Sequence, residues 1–418
     1  PIKSSAASDV YKRQMKRLGW FEDLKVRASY GEMGNQSGIG LYDYIQLISL
    51  SNDYYPFGAG VKGQMATSGN IISTSRTWET IQTTNVGFDF STLNNRLYGS
   101  FDYFWKENKN MLIPKTYPSM LGADAPSTNS GHLSIHGWEI SLGWRDQIKD
   151  FSYSVRFNIS DAKNKVVDRV GSNLIKLGNN ETPTGYPLNS YFGYEFDGII
   201  QNEQELEAYK SRFSEGGIPG DLSVGDAMYK DLDGDGKLSV LGDGKEGSGD
   251  VKYLGDKNPR YNFGFNLSMA WKGFDLSAFI QGVGRRTMFL EGESRCPMPE
   301  AWYQSAEYWY GKTWTPERTD AQYPAITLKD KRNYNYYVST NTKFNVAYAR
   351  LKNLQFGYTI PQTLTSKAGL QKVRVYFSGE DLFEVHNTPN GWDPEENSGS
   401  ITSYPFTRNY SFGINVVF

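Results

Sequence analysis

The feature that most constrains this chain is strict two-residue alternation of apolar and polar side chains, in segments of about ten residues repeated along its length. From Trp138 to Arg145, the residues Trp138, Ile140, Leu142 and Trp144 share one face, and Glu139, Ser141, Gly143 and Arg145 share the other. After a turn over 146–150, Phe151, Tyr153, Val155, Phe157 and Ile159 alternate with Ser152, Ser154, Arg156, Asn158 and Ser160. This pattern predicts an antiparallel hairpin. Its second face is fully polar, so water must reach it. The pattern recurs at Val86, Phe88 and Phe90, then an Asn94-Asn95 turn, then Leu97, Phe101, Tyr103 and Trp105. It returns at Phe263, Phe265, Leu267, Met269 and Trp271, followed by a Lys272-Gly273 turn and Phe274, Leu276, Ala278 and Ile280. Further strands are predicted over Leu24–Tyr30, Leu354–Ile360 and Val373–Phe377, about twelve in all.

Composition separates the environments in which such strands can live. The mean hydropathy of -0.57, with no run of 18 apolar residues, excludes membrane-spanning helices. It leaves a membrane barrel open, because transmembrane strands alternate lipid-facing and lumen-facing residues and look hydrophilic on average. The aromatic content of 15%, placed near strand ends, suits aromatic girdles. Charges nearly cancel, 44 Lys plus Arg against 46 Asp plus Glu, so no field attracts nucleic acid. The single Cys296 makes no internal disulfide, so the fold does not depend on oxidation. Residues 1–14 fit no following element and are read as an assembly scar; residues 15–418 are the folded part.

Loop lengths separate a barrel from a soluble sandwich. Turns alternate with stretches such as 168–259 and 288–343, rich in Gly, Asp, Asn and aromatics and far longer than ordinary loops. A short helix is predicted from Glu203 to Lys210, capped by Asn202. The expected fold class is all-β: the later part of a larger antiparallel transmembrane β-barrel with long extracellular loops.

Within the first long loop, Asp231, Asp233 and Asp235 stand at positions 1, 3 and 5 of an EF-hand-like calcium loop, with Gly at position 6. Lys237 would add its backbone carbonyl. Position 12 is Gly242 rather than Glu, and the following Asp243 is expected to close the site. The plain alternative is a solvated acidic turn, but three carboxylates this close repel without a cation. The pattern therefore predicts a calcium-stapled loop. In the second long loop Trp302, Tyr303, Tyr308, Trp309, Tyr310 and Trp314 crowd together. They are candidates for stacking on sugar rings, or for ordering the loop by their own packing.

Other motifs fail on context. Gly58, Gly60 and Gly63 have GxGxxG spacing, yet no strand precedes and no helix follows. His132 and His136 share a strand face about 13 Å apart and cannot share one zinc. His386 stands alone in a loop, and no nucleophile elbow or HExxH motif suggests hydrolysis. Glu139, Arg145 and Arg156 are expected to line a polar lumen, by ion pairing.

The end of the chain is the most specific segment. Tyr410, Phe412, Ile414, Val416 and the terminal Phe418 alternate without a break, and a strand closing on Phe resembles the signal read by the outer-membrane barrel-assembly machinery. Whole segments, Leu24–Gln36, Thr77–Leu112, Gly137–Val166, Tyr229–Leu238, Leu254–Gly284, Trp314–Pro324, Ala349–Pro361 and Val373–Phe383, resemble the SusC/RagA-type TonB-linked outer-membrane transporters of Bacteroidota. The resemblance covers nearly everything after residue 14. It implies a 22-stranded barrel with an N-terminal plug, working with a SusD-like surface lipoprotein and energised by the TonB complex. Signal peptide, TonB box, plug and earlier strands are expected to lie outside this sequence. The implied function is uptake of oligosaccharides or peptides, with no enzymatic step. The competing reading is a secreted all-β glycan-binding protein or glycosidase, for which two facing carboxylates would be needed.

Overall fold

A computed structural model of the protein describes residues 3–4, 20–40, 44–51, 56–57, 61–62, 65–68, 71–73, 76–114, 120, 127–169, 177–178, 182–241, 249–299, 304–327, 331–396, 399, 404 and 406–418. Its dominant element is one antiparallel sheet of eleven strands in simple sequential order. These are β1 (Lys3–Ser4), β2 (Phe21–Asn35), β3 (Glu79–Thr92), β4 (Leu97–Pro114), β5 (Ser127–Ile148), β6 (Phe151–Arg169), β7 (Arg260–Trp271), β8 (Phe274–Arg285), β9 (Tyr348–Thr359), β10 (Lys372–His386) and β11 (Asn409–Val417). The expected count of about twelve becomes eleven, and β1 has only two residues. In that short strand Lys3 and Ser4 pair with Tyr30 and Ser29 of β2. His386, expected in a loop, is the last residue of β10.

Register turns the alternation of single strands into continuous bands. Val26, Phe88, Phe101, Ile140, Ile159 and Phe263 lie opposite one another across β2 to β7. Tyr153, Met269, Leu276, Phe356, Phe377 and Phe412 do the same across β6 to β11. None of these side chains is buried: Val26, Phe88, Phe356 and Phe412, like Leu142 in the same band, are exposed, and the others are half-buried by their neighbours along the sheet. Exposed apolar surface on this scale marks contact with lipid or protein rather than water. Aromatics bound the band. At the short-turn end Trp144 donates to the Tyr153 hydroxyl (3.1 Å), and Phe274 packs on Tyr358 (4.4 Å between centroids). Toward the other end Tyr103 packs on Trp105 (4.4 Å), and beyond them the outer face turns polar at Glu107, Ser134 and His132. The apolar run from Phe151 to Ile159 on β6, at ordinary rise and tilt, spans roughly 20 Å, close to the apolar band of an outer-membrane barrel.

The opposite face is charged. Arg27, Gly87, Asp102, Glu139, Ser160 and Asn262 form one row. Gly87 is required there because a Cβ would collide with the Asp102 carboxylate, so the Arg27 guanidinium crosses β3 to reach both Asp89 (2.9 Å) and Asp102 (2.8 Å). Arg374 makes a two-pronged contact with Asp275 (2.9 and 2.5 Å). Such paired charges suit a hydrated wall. Among the described residues no helix is long and apolar enough to cross a membrane.

The connections 93–96, 149–150, 272–273 and 360–371 lie at one end of the sheet, and the longer ones 36–78, 170–259, 286–347 and 387–408 at the other. The described residues of the long segments 182–259 and 286–347 build a packed layer of their own. Helix α1 (Glu203–Lys210) begins as predicted, with the Asn202 side chain accepting the Glu205 N–H at 2.9 Å. It buries Leu206 and Tyr209 against Ile200, Leu222, Met228, Tyr229 and Tyr334.

Candidate functional site

The acidic loop and the aromatic loop both lie in this layer at the long-loop end. In the first, the Asp231 carboxylate accepts N–H groups from Gly234 (2.7 Å) and Gly236 (2.9 Å), folding the chain around itself. Both glycines need the left-handed region, with φ of 74° and 76°. Asp233 accepts from Asp235 N–H (3.2 Å) and Asp235 from Lys237 N–H (2.7 Å). Oxygens of Asp231, Asp233 and Asp250 come within 4.8 Å of one another. Asp235 is not part of this group, and Asp243 lies outside the described residues. Sequence reasoning missed Asp250, which follows Asp231 at a distance no EF-hand spacing suggests. Asp250 is fully buried and accepts the N–H groups of Leu232 (2.6 Å) and Ser239 (2.7 Å), clamping both ends of the loop. Burial pushes its carboxyl pKa up, and the charges of Asp233 and Asp231 push it further. Burial also raises that of Asp233, with Asp235 and Asp231 adding to the shift. The cluster is short of positive charge and offers oxygen ligands only, the chemistry of a hard cation.

The aromatic loop divides sharply. Tyr308, Trp309 and Trp314 are buried, while Tyr310 is 90% exposed. The Tyr308 hydroxyl shares a hydrogen bond with that of Tyr323 (2.6 Å), and Trp309 packs edge-on against Tyr323 and Tyr336. Trp314 donates through Nε1 to Gln201 Oε1 (3.0 Å), tying the two long loops together. Three of the six candidate aromatics thus serve the loop's own packing, and Trp302 and Tyr303 lie outside the described residues.

The lumenal residues differ from expectation in their partners. Arg145 and Arg156 lie over the Tyr98 ring, 5.3 and 5.9 Å from its centroid, and Glu139 is exposed. The denser charge network is one the sequence did not indicate. Arg350, buried on the polar face, reaches Asp393 (2.9 Å) and Glu395 (3.0 Å), and Lys352 reaches Glu395 (3.0 Å) and Asp381 (2.7 Å). The segment after β10 is thereby folded back onto the wall. At the chain end, β11 pairs with β10 alone among the described residues; Tyr410, Phe412, Ile414, Val416 and Phe418 all stand exposed on it or just beyond it.

No protein-family profile matches the chain. It is 31% identical over 423 residues to TonB-dependent receptor P3 of Formosa agariphila, a match covering 94% of this chain and 39% of that protein. It is 24% identical over 440 residues to TonB-dependent receptor SusC of Bacteroides thetaiotaomicron, covering 97% of this chain and 38% of that one. Among solved structures, the RagAB peptide transporter superposes with a TM-score of 0.74 at 21% identity, covering 98% of this chain and 42% of its own. That likeness concerns the fold. The chain spans about two fifths of the length of the curated relatives it matches. By name these relatives are receptors and a transporter, which supports a non-enzymatic reading.

Proposed function

The chain is a barrel segment of the SusC/RagA type of TonB-dependent outer-membrane receptor, and from that premise we propose that its parent protein imports oligosaccharides, with peptides as the second reading, driven through TonB. The observation that carries this is the sheet itself: an exposed apolar band on one face, a charged wall on the other, and a folded loop layer at one end. That arrangement suits a hydrated passage through lipid, with recognition at its outer mouth. The peptide reading is kept because the RagAB structure is that of a peptide transporter. A SusD-like lipoprotein is the proposed partner over the loop layer, with the barrel-assembly machinery acting on the last strand. We also propose that Asp231, Asp233 and Asp250 hold a calcium ion that staples their loop.

The test is removal of the full-length gene from its host, with uptake of labelled oligosaccharides and peptides measured side by side. Loss of oligosaccharide uptake alone is expected; loss of peptide uptake alone would replace the first reading by the second. A full-length protein recovered as soluble, with no difference in gel mobility between unheated and boiled samples, would sink both.

A further inference from the structure

In the loop layer, residues 306–312 face residues 390–392 over a cleft of about 460 Å³. That is within the size range of small-molecule sites. Tyr308, Tyr310 and Trp392 form its walls, with Glu307, Lys312 and Asn390 as its polar groups. Tyr308 and Trp392 are fixed: their rings meet edge to face at 5.8 Å, and Trp392 Nε1 donates to the Gly399 carbonyl (3.2 Å). Tyr310 is the free wall, its ring standing out into solvent.

Lys312 is the unusual member. Its ammonium nitrogen lies 3.5 Å from the centroid of the Tyr308 ring, and no carboxylate pairs with it among the described residues. Burial lowers its pKa. A ring face stabilises a cation less than an oxyanion does, so this ammonium has hydrogen-bonding capacity left for a ligand. Beside it stand an exposed aromatic face, an amide and a carboxylate, groups that stack on a pyranose ring and exchange hydrogen bonds with hydroxyls.

Resting on the oligosaccharide reading above, we infer that this cleft is a subsite for an acidic sugar unit, with Lys312 pairing with its carboxylate and Tyr310 stacking on its ring. An extended peptide is the poorer fit, because among the described residues no strand lines the cleft.

The experiment is titration of the full-length receptor in detergent, followed by Trp fluorescence, with tetragalacturonate, its fully methyl-esterified neutral form, and tetraglutamate. The acid should bind about tenfold tighter than the ester, the increment of one charge-assisted contact. Lys312→Gln should remove that difference, Lys312→Arg should retain most of it, and Tyr310→Ala should weaken acid and ester alike. Equal binding of acid and ester, or an undiminished preference in Lys312→Gln, would overturn the inference. Tetraglutamate binding as tightly as tetragalacturonate, with the same dependence on Lys312, would overturn the sugar assignment. A misfolded variant is recognised by loss of heat-modifiable mobility, and the acid-to-ester ratio in the unaltered receptor then decides alone. Uptake of neutral oligosaccharides with no acid preference at the cleft would refute this subsite and leave the receptor reading standing.

Discussion

The barrel wall and the loop layer use the same residue types in opposite ways. On the last strand, Phe412 and Ile414 are 83% and 67% exposed, while in the loop layer Tyr209 and Tyr229 are 0% and 1% exposed. A water-soluble domain would be expected to hide both sets. The wall has no interior of its own: each strand offers one face to lipid and the other to a hydrated lumen, so its stability rests on register and on hydrogen bonds between strands. The layer is a water-facing domain, with edge-to-face aromatic clusters and buried polar groups that are mostly paired. Where a protein exposes its apolar side chains tells which solvent each part meets.

The largest effect expected from this difference is in the layer. Tyr229 packs against Tyr334, and its hydroxyl donates to the Tyr334 carbonyl at 2.9 Å. Tyr229→Ala should cost about 3–5 kcal/mol locally. Proteases should then cut within 200–240 while the barrel keeps its unheated gel mobility. If barrel and layer are lost together, they are one cooperative unit and the contrast fails.

A somewhat smaller effect is expected at the wall, and it should depend on the face. Leu142 lies in the outward band and Ser141 beside it on the polar face. Leu142→Arg should cost about 2–4 kcal/mol near the middle of the band and reduce assembled barrel in the membrane fraction. Ser141→Arg should assemble normally. Equal yields from the two would mean that the outward face does not meet lipid.

The same contrast explains what could be read from sequence. Alternation and turn residues announced the hairpins, because lipid on one side and water on the other force period two, and an Asn before an acidic helical stretch announced α1. Strand lengths were underestimated. β5 runs for 22 residues, since it continues past the apolar band with the alternation inverted, His132, Ser134 and His136 on the outer face and Leu133 and Ile135 on the inner one, so the apolar stripe changes face. The bulge at Asp381, with φ of 54°, and its register shift opposite Leu351 and Asn353 were equally invisible. In the layer the limit is different. Nothing local distinguishes Trp309, which packs inside, from Tyr310, which faces solvent, because that choice is made by distant partners such as Tyr323 and Tyr336. Asp250 escaped for the same reason: its place beside Asp231 is set by the folded loop rather than by spacing.

The smallest effect, and the sharpest on the layer side, concerns that acidic loop. The carboxyl pKa values of Asp250 and Asp233 are raised by burial and then by neighbouring carboxylates. A raised carboxyl pKa means that the fold prefers the neutral acid more than the unfolded chain does. Its contribution to stability is therefore complete below the ordinary value near pH 4 and is lost as the pH rises through the raised folded value. With a chelator present, hydrogen-exchange protection over 231–239, corrected for intrinsic rates, should be higher at pH 4 than at pH 7.5. Calcium at pH 7.5 should restore it, since a divalent ion replaces the missing protons, and β4 to β6 should not respond in either case. Equal protection at both pH values in chelator would show that the carboxylates do not strain the loop. A pH effect that calcium leaves unchanged would show that Asp231, Asp233 and Asp250 tolerate their repulsion without holding an ion.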